Sequence, residues 1–167
     1  MLWAKNYFCL TLCCILLFFT NCIGTINTEN DVLVKDKISQ ITAKNPESHI
    51  ELLFYKQFHH IARNTPIRAI YTLNYSLDVS NTQTLSVTQN SSNLKSTSVT
   101  VKFELNHTQT GQLIHRGKIR SEATSGAVSG LYAQEQSEKF AQERLTILLA
   151  QRVYQNLYLY FLENLDA

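Results

Sequence analysis

The clearest hydrophobic pattern in the sequence alternates with a period of two near the middle of the chain. Single polar or charged residues separate the apolar positions, which is typical of a strand with one buried face. The apolar positions are Val99, Val101, Phe103 and Leu105. The polar segment 106–112 contains Gly111, which can adopt the positive φ that a hairpin loop usually needs. A return strand over 113–123 completes a predicted β-hairpin.

Two segments before this hairpin also have strand patterns. Alternation over 69–79 predicts the most regular strand of the chain. A β-rich stretch through Leu85 and Val87 follows, and a soft turn over 90–93 connects it to the hairpin. Apolar residues spread among charges over 32–41 predict a short first strand.

A helix is predicted between the first strand and the strand over 69–79. Apolar residues recur at helical spacing from Ile50 to Ile61. The segment 45–47, Asn-Pro-Glu, is a suitable start, with an Asn cap, Pro at the first helical position and an acid at the positive end of the helix. We expect the helix to end near Asn64, because the residue after it precedes a proline.

The longest pattern is a helix from Leu131 to about Leu165, which would span about 52 Å. A compact domain of this size is only about 35 Å across, so the helix must bend, fray or overhang. Its first half is amphipathic, whereas 153–162 is apolar on all sides and must be buried by something. This half either packs into the core of the chain or contacts a partner protein or membrane. The candidate contact residues are Tyr154, Tyr158 and Phe161.

The order of these elements indicates the fold class. A strand, a helix, three or four antiparallel strands and a long helix are typical of an α+β fold. We expect a four-stranded, mostly antiparallel sheet covered by two helices. The 167 residues are enough for one domain, and we assign a single α+β domain to 32–167.

The first 21 residues are typical of an export signal peptide. Lys5 supplies a short positive region, and the apolar run 7–19 is too short for an ordinary membrane-spanning helix. Cys22 stands where cleavage would fall, which is the position that bacterial lipoproteins present for acylation. Asn21 departs from the small residue usual before that cysteine, and ordinary cleavage with an incidental Cys22 is the alternative. We assign 22–31 to a lipid-anchor tether and expect the outer membrane.

Composition and spacing argue against several classes of function. The net charge is only +2, far from the basic bias of a nucleic-acid binder. The sequence has no Gly-rich phosphate loop and no Gly-x-Ser-x-Gly elbow. His59 and His60 are adjacent on the predicted helix and point to different faces. They therefore cannot coordinate one metal ion together, as two histidines spaced by one helical turn can. We expect that the protein is not an enzyme and that it binds no metal ion, no cofactor and no nucleic acid.

One group of residues has a specific chemical interpretation. Arg116, Lys118 and Arg120 occupy alternate positions of the return strand, so they project from one sheet face about 6.6 Å apart. Lys102 on the partner strand extends the group. Such a row could bind anionic headgroups or phosphates, with Arg making bidentate contacts. A solvated outer face that binds nothing is the competing interpretation.

Several stretches resemble the LptE-type lipopolysaccharide-assembly lipoproteins, most closely their divergent alphaproteobacterial branch. The segments 71–75 and 103–113, Phe-Glu-Leu-Asn-His-Thr-Gln-Thr-Gly-Gln-Leu, resemble the family's strand and its Tyr-x-Leu-x-Asp-x-x-Thr-Gly-Lys-x-Leu turn. Arg120-Ser121 before a small-residue loop and the helix opening at 131–133 also fit. The resemblance covers about 70–161 and the N-terminus. Phe103, Asn106-His107 and Gln112 depart from the family pattern, which weakens the transfer of ligand-binding detail more than that of the fold.

The resemblance implies a role in the envelope of a Gram-negative bacterium. Family members are lipid-anchored on the periplasmic side of the outer membrane and plug the large β-barrel lipopolysaccharide translocon. They also assist assembly of that barrel and bind lipopolysaccharide non-covalently. The expected partners are therefore the barrel, lipopolysaccharide and the membrane. Arg116, Lys118, Arg120 and Lys102 are candidate ligands for lipopolysaccharide phosphates by their chemistry alone.

Two other functions fit the same anchor and architecture. An auxiliary outer-membrane lipoprotein of a phospholipid-transport system would associate with an inner-membrane transporter complex instead of a barrel. A structural or adhesive surface lipoprotein would need no dedicated partner, and it would leave the apolar segment 153–162 unexplained.

Overall fold

The structure, a computed structural model, describes residues 28–63, 69–84, 94–125 and 130–165. Three helices and four strands are present in these ranges, and their order confirms the predicted α+β class. In chain order they are α1 (Thr28–Ser39), β1 (Ile41–Ala43), α2 (His49–Ala62), β2 (Tyr71–Thr84), β3 (Leu94–His107), β4 (Leu113–Ser125) and α3 (Leu131–Glu163). Cys22, the stretch through Leu85 and Val87, and the predicted turn over 90–93 lie outside the described residues.

The four strands form one sheet in the order β1-β2-β3-β4. β1 runs parallel to β2, whereas β2 and β3, and β3 and β4, pair antiparallel, as the mostly antiparallel prediction expected. Gly111 closes the β3–β4 hairpin with a φ of 68°, the positive value expected for this position. The sheet is therefore a long three-stranded meander with a short parallel strand at one edge.

Two helices cover one face of this sheet, here called the inner face. The Phe54 ring of α2 lies 4.6 Å from the Tyr75 ring of β2, and the Phe161 ring of α3 lies 5.4 Å from the Tyr71 ring. The core lies between these layers. Its largest fully buried side chains are Val34, Ile38, Ile41, Phe54, Phe58, Leu73, Val99, Val101, Phe103, Leu105, Leu149 and Leu157.

The prediction of a strand over 32–41 is wrong for most of that segment. Residues 28–39 form α1, which includes the last four residues assigned to the tether, and only the three residues of β1 are a strand. Val34 and Ile38 are both fully buried, and their spacing of four places them on one helical face. The Tyr158 hydroxyl of α3 donates to the Asp31 carboxylate at 2.9 Å, so α1 packs beside α3.

The start of α2 lies three residues later than predicted. Ser48 is the N-cap instead of Asn45, and its hydroxyl accepts a hydrogen bond from the Glu51 backbone N–H at 3.2 Å. The Glu51 carboxylate in turn accepts from the Glu47 N–H at 2.8 Å. A serine followed three residues later by glutamate is a capping signature. The helix starts at this signature and not at the earlier Asn45-Pro46 pair. The predicted end of the helix is close, since α2 ends at Ala62.

The C-terminal half of α3 packs into the core of the chain, the first of the two interpretations considered above. Val153, Leu157 and Phe161, spaced by four residues, are all buried. Leu159 and Leu162 stay exposed on the opposite side. The apolar segment is therefore divided into a core stripe and a solvent-facing stripe.

Gly117 allows the Phe103 ring to lie against the inner face of β4. The two residues are directly opposite in the β3–β4 ladder, and a Cβ added at Gly117 would lie 2.4 Å from Phe103 Cζ. We expect Gly117→Ala to destabilise the protein by about 1–3 kcal/mol, because the buried ring must shift. Urea unfolding monitored by circular dichroism measures this change.

The control is the double variant Gly117→Ala/Phe103→Leu, in which the smaller side chain leaves room for the added methyl group. The double variant should lose less stability than the sum of the two single variants. Strict additivity would show that the contact between the ring and the glycine is not the cause.

Candidate functional site

The outer face of the sheet is the side that α2 and α3 do not cover. The alternating register places polar side chains there, whereas the inner-face side chains His115 and Ser121 bond to α3. Outer-face residues of the three long strands include Asn74, Ser76, Asp78, Lys102, Glu104, Arg116, Lys118, Arg120 and Glu122. All nine are exposed. An antiparallel sheet with one packed and one solvated face shows this alternation.

An open groove of about 800 Å³ crosses this outer face. We call it the cationic groove. Its polar lining residues are Lys44, Asn74, Ser76, Lys102, Glu104, Arg116 and Lys118. Four cations and one carboxylate line the groove among the described residues, and two of the cations, Lys44 and Lys102, are paired with carboxylates outside the lining. The positive charge that remains without an ion-pair partner in the described ranges favours an anionic ligand.

The structure brings three of the four predicted cations into this groove. Arg116, Lys118 and Lys102 line it, whereas Arg120 lies outside the lining and its guanidinium contacts the Glu122 carboxylate at 3.3 Å. Lys102 lies 2.9 Å from the Asp78 carboxylate, and both side chains are more than half exposed. Arg116 and Lys118 have no ion-pair partner among the described residues.

Lys102 and Lys118 occupy directly opposite positions in the β3–β4 ladder. Like charges at such positions destabilise a sheet, because their Cβ atoms are only about 4.5–5.5 Å apart. An anion that contacts both ammonium groups would remove this repulsion. A bound phosphate would therefore offset the electrostatic repulsion between the two lysines.

Lys44 is a groove residue that the sequence analysis missed. It follows β1, and its backbone N–H donates to the Leu73 carbonyl of β2 at 2.9 Å. Its ammonium group lies 2.7 Å from the Glu47 carboxylate, and this hydrogen bond raises the pKa of Lys44 above its ordinary value. The residue reaches the groove only because β1 pairs parallel with β2, and that pairing was not predicted.

The arrangement of the cationic groove suits phosphate binding. Arg116 and Lys118 are alternate residues of one strand, about 6.6 Å apart along it. The guanidinium group offers two parallel N–H donors to one phosphate, and each ammonium group offers a point charge. The groove can hold a ligand that carries more than one anionic group.

The three aromatic residues proposed for partner contact differ in their surroundings. Phe161 is buried in the core of the chain and is only 3% exposed. Tyr154 and Tyr158 are half-buried, and Tyr158 donates its hydroxyl hydrogen to Asp31. Among these three, only Tyr154 and Tyr158 keep surface that a partner could touch.

The described parts of the chain offer no group of three side chains suited to holding a metal ion. His59 packs against the Tyr55 ring at 4.2 Å, and burial lowers the pKa of its imidazole. Nor does any described helix combine the length and the hydropathy needed to span a membrane.

The comparisons with known proteins show the fold. No protein-family model matches the chain, and no curated protein matches it in sequence. A solved structure from Caulobacter crescentus, provisionally named a lipoprotein, matches with a TM-score of 0.62 and 18% identity over 77% of this chain and 96% of that one. Rare lipoprotein B from Shewanella oneidensis matches with a TM-score of 0.59 and 14% identity over 76% and 97% of the two chains.

A third solved structure, a minor lipoprotein from Acinetobacter baumannii, has a TM-score of 0.55 and 12% identity over 71% of this chain and 91% of its own. At such low identity these likenesses show a shared fold alone. The chain therefore has an α+β fold that also occurs in proteins named as bacterial lipoproteins.

Proposed function

We propose that this protein is an outer-membrane lipoprotein that plugs and helps assemble the β-barrel lipopolysaccharide translocon. In this role it binds lipopolysaccharide non-covalently during its insertion, and Cys22 carries the lipid anchor. The observation that carries the proposal is the cationic groove on the uncovered sheet face. Lipid A and the inner core of lipopolysaccharide present several phosphates, and the groove presents several cations.

The binding mechanism follows from the position of the groove. Arg116 and Lys118 have no ion-pair partner within the described ranges, so no existing contact must break before they bind a phosphate. Lys102 and Lys44 are paired only with exposed carboxylates, and such surface pairs are weak. Phosphate oxygens can therefore replace these carboxylates with little loss.

Two further observations support the proposal. The fold also occurs in rare lipoprotein B and in two other proteins named as lipoproteins. The sequence resemblance to the lipopolysaccharide-assembly family covers β2, the β3–β4 hairpin and most of α3, which are the elements that build the outer face and its support.

The groove predicts a charge-dependent affinity for lipopolysaccharide. We expect Arg116→Glu/Lys118→Glu to weaken binding at least about tenfold, because each charge-assisted hydrogen bond contributes about 1.5–3 kcal/mol. Surface plasmon resonance with immobilised lipopolysaccharide and the full-length protein in mild detergent measures the affinity.

The matched control is Lys56→Glu/Lys139→Glu, which makes the same charge change at exposed positions of α2 and α3. This control should bind within about twofold of the unmodified protein, since exposed charges far from the groove are screened. Equal losses of lipopolysaccharide affinity in the two double variants would show that net charge alone causes the loss. That result would contradict specific binding in the cationic groove.

The proposed partner predicts a stoichiometric complex. We expect a tagged full-length protein, isolated from its own envelope in mild detergent, to bring with it one large outer-membrane β-barrel in about equal amount. Mass spectrometry identifies the copurified protein. The variant Cys22→Ala should move the protein from the membrane fraction to the soluble periplasmic fraction.

Each other outcome of this isolation argues against the proposal. Recovery of inner-membrane transporter subunits would support the phospholipid-transport alternative. Recovery of the protein alone would contradict both partner models and favour a structural or adhesive lipoprotein.

A further inference from the structure

The free edge of β4 is a second exposed feature of the sheet. β4 is the last strand in the sheet order and has 13 residues without a proline. It pairs with β3 on one side, and no other strand in the described ranges pairs with it. Because an antiparallel strand bonds a neighbour on each side in alternation, half of the backbone groups of β4 point away from β3. Such an edge is a template for another strand.

Helix α3 runs beside this edge. Arg152 of α3 donates to the Ser121 hydroxyl at 3.0 Å and to the Arg120 carbonyl at 3.5 Å, so the helix touches β4 there. Nearer the end of β4 the two elements leave an open groove of about 810 Å³ between them. We call it the edge groove. On the strand side it is lined by Ala123 and Thr124.

The helix side of the edge groove consists of two neighbouring rows of residues spaced by four. One row is Tyr132, Gln136, Phe140, Arg144 and Leu148, and the other is Ala133, Ser137, Ala141 and Leu145. Tyr132 is 75% exposed and Phe140 is 60% exposed, which is unusual for large apolar side chains on a folded domain. The sequence pattern shows the first half of this helix as amphipathic, but its apolar positions do not all enter the core. The remainder forms an uncovered apolar wall beside a free strand edge.

The charges around the edge groove and along β4 restrict which ligand can bind there. Arg144 is the one charged side chain in the lining of the edge groove, no carboxylate lines it, and Arg144 has no ion-pair partner among the described residues. On the outer face of the same strand lie the basic residues Arg116, Lys118 and Arg120. Glu122 also lies on this outer face, but its carboxylate is paired with Arg120. Within the described ranges, the charges left without an ion-pair partner are Arg144 on one side and Arg116 and Lys118 on the other, so an acidic strand is the complementary occupant.

The same charges disfavour a second copy of the chain. An antiparallel pairing of two β4 edges centred on Lys118 would place Arg116 opposite Arg120 of the other copy, and Lys118 opposite its equivalent. Directly opposed like charges destabilise a strand pair. A second copy is therefore disfavoured in this register, whereas a pairing centred on Ser121 would place Arg120 opposite Glu122 and makes the oligomeric state part of the test.

We infer that the β4 edge and the edge groove together bind an extended acidic strand of a partner protein. The strand adds to the sheet through backbone hydrogen bonds, places apolar side chains against Phe140 and Leu148, and directs carboxylates to Arg144 and the basic residues of β4. The edge groove is distinct from the cationic groove, because none of its lining residues lines that groove, but Arg116 and Lys118 of β4 are shared by the cationic groove and the proposed strand site. Strand addition with alternate side chains in pockets is a general mode of peptide recognition.

A labelled peptide tests the inference with the full-length protein in mild detergent. The probe is the acetylated peptide Glu-Val-Glu-Glu-Glu-Val-Glu-Val, about the length of an ordinary strand. Its alternate Glu residues share one face for the basic residues of β4, and the single Glu among the valines of the other face can reach Arg144. Fluorescence anisotropy measures its affinity. We expect binding that weakens at least about tenfold when alternate backbone amides of the peptide are N-methylated, and equally when Glu is replaced by Lys.

The protein variants Phe140→Ser and Arg144→Glu should each weaken peptide binding at least about tenfold. Both side chains are exposed, so the variants should fold and keep lipopolysaccharide binding, which separates this test from that of the proposed function. The matched control Lys139→Glu reverses an exposed charge of α3 outside the edge groove and should leave peptide affinity unchanged.

Four results would overturn the inference. The first is equal binding of the N-methylated and unmodified peptides, and the second is absence of binding at about 1 mM peptide. The third is tighter binding of dodecyl phosphate in competition with the peptide, because that result would assign the groove to a lipid. The fourth is a concentration-dependent dimer that Phe140→Ser dissolves, which would assign the edge to a second copy.

Discussion

The packing of one stripe of α3 against the inner sheet face is the constraint on which the rest of the structure depends. Val153, Leu157 and Phe161 are buried there, and each such side chain contributes about 1.5–3 kcal/mol relative to an exposed one. Since α2 packs on the same face, the sheet has one apolar layer and one face that no described element covers. Both candidate binding surfaces follow from this one-sided arrangement: the cationic groove lies on the bare face, and the edge groove lies where α3 passes the outermost strand.

The cationic groove depends on strand order as well as on side-chain alternation. The antiparallel ladder places Lys102 opposite Lys118, and the short parallel β1 places Lys44 at the other side of the groove. Arg116 and Lys118, which have no ion-pair partner in the described ranges, are with the two weakly paired lysines the electrostatic feature that a ligand with several phosphates fits.

The sequence predicted the elements with strong local periodicity. The β3–β4 hairpin, its positive-φ Gly111 and the long C-terminal helix are present as expected, because period-two and helical patterns report the local backbone directly. The segment 32–41 forms a helix instead of the predicted strand, since Val34 and Ile38 fit either period and the local pattern does not include the contact of this segment with α3. Lys44 and the edge groove could not be predicted, because both depend on which elements meet in space.

Photo-crosslinking in living cells tests the account most directly. A crosslinking amino acid at Ser76 samples the cationic groove, and the same residue at Lys56 samples the exposed side of α2. The account predicts a lipopolysaccharide adduct from position 76 and none from position 56. An adduct from position 56 alone, or equal adducts from both positions, would show that the uncovered sheet face is not the face that binds lipopolysaccharide.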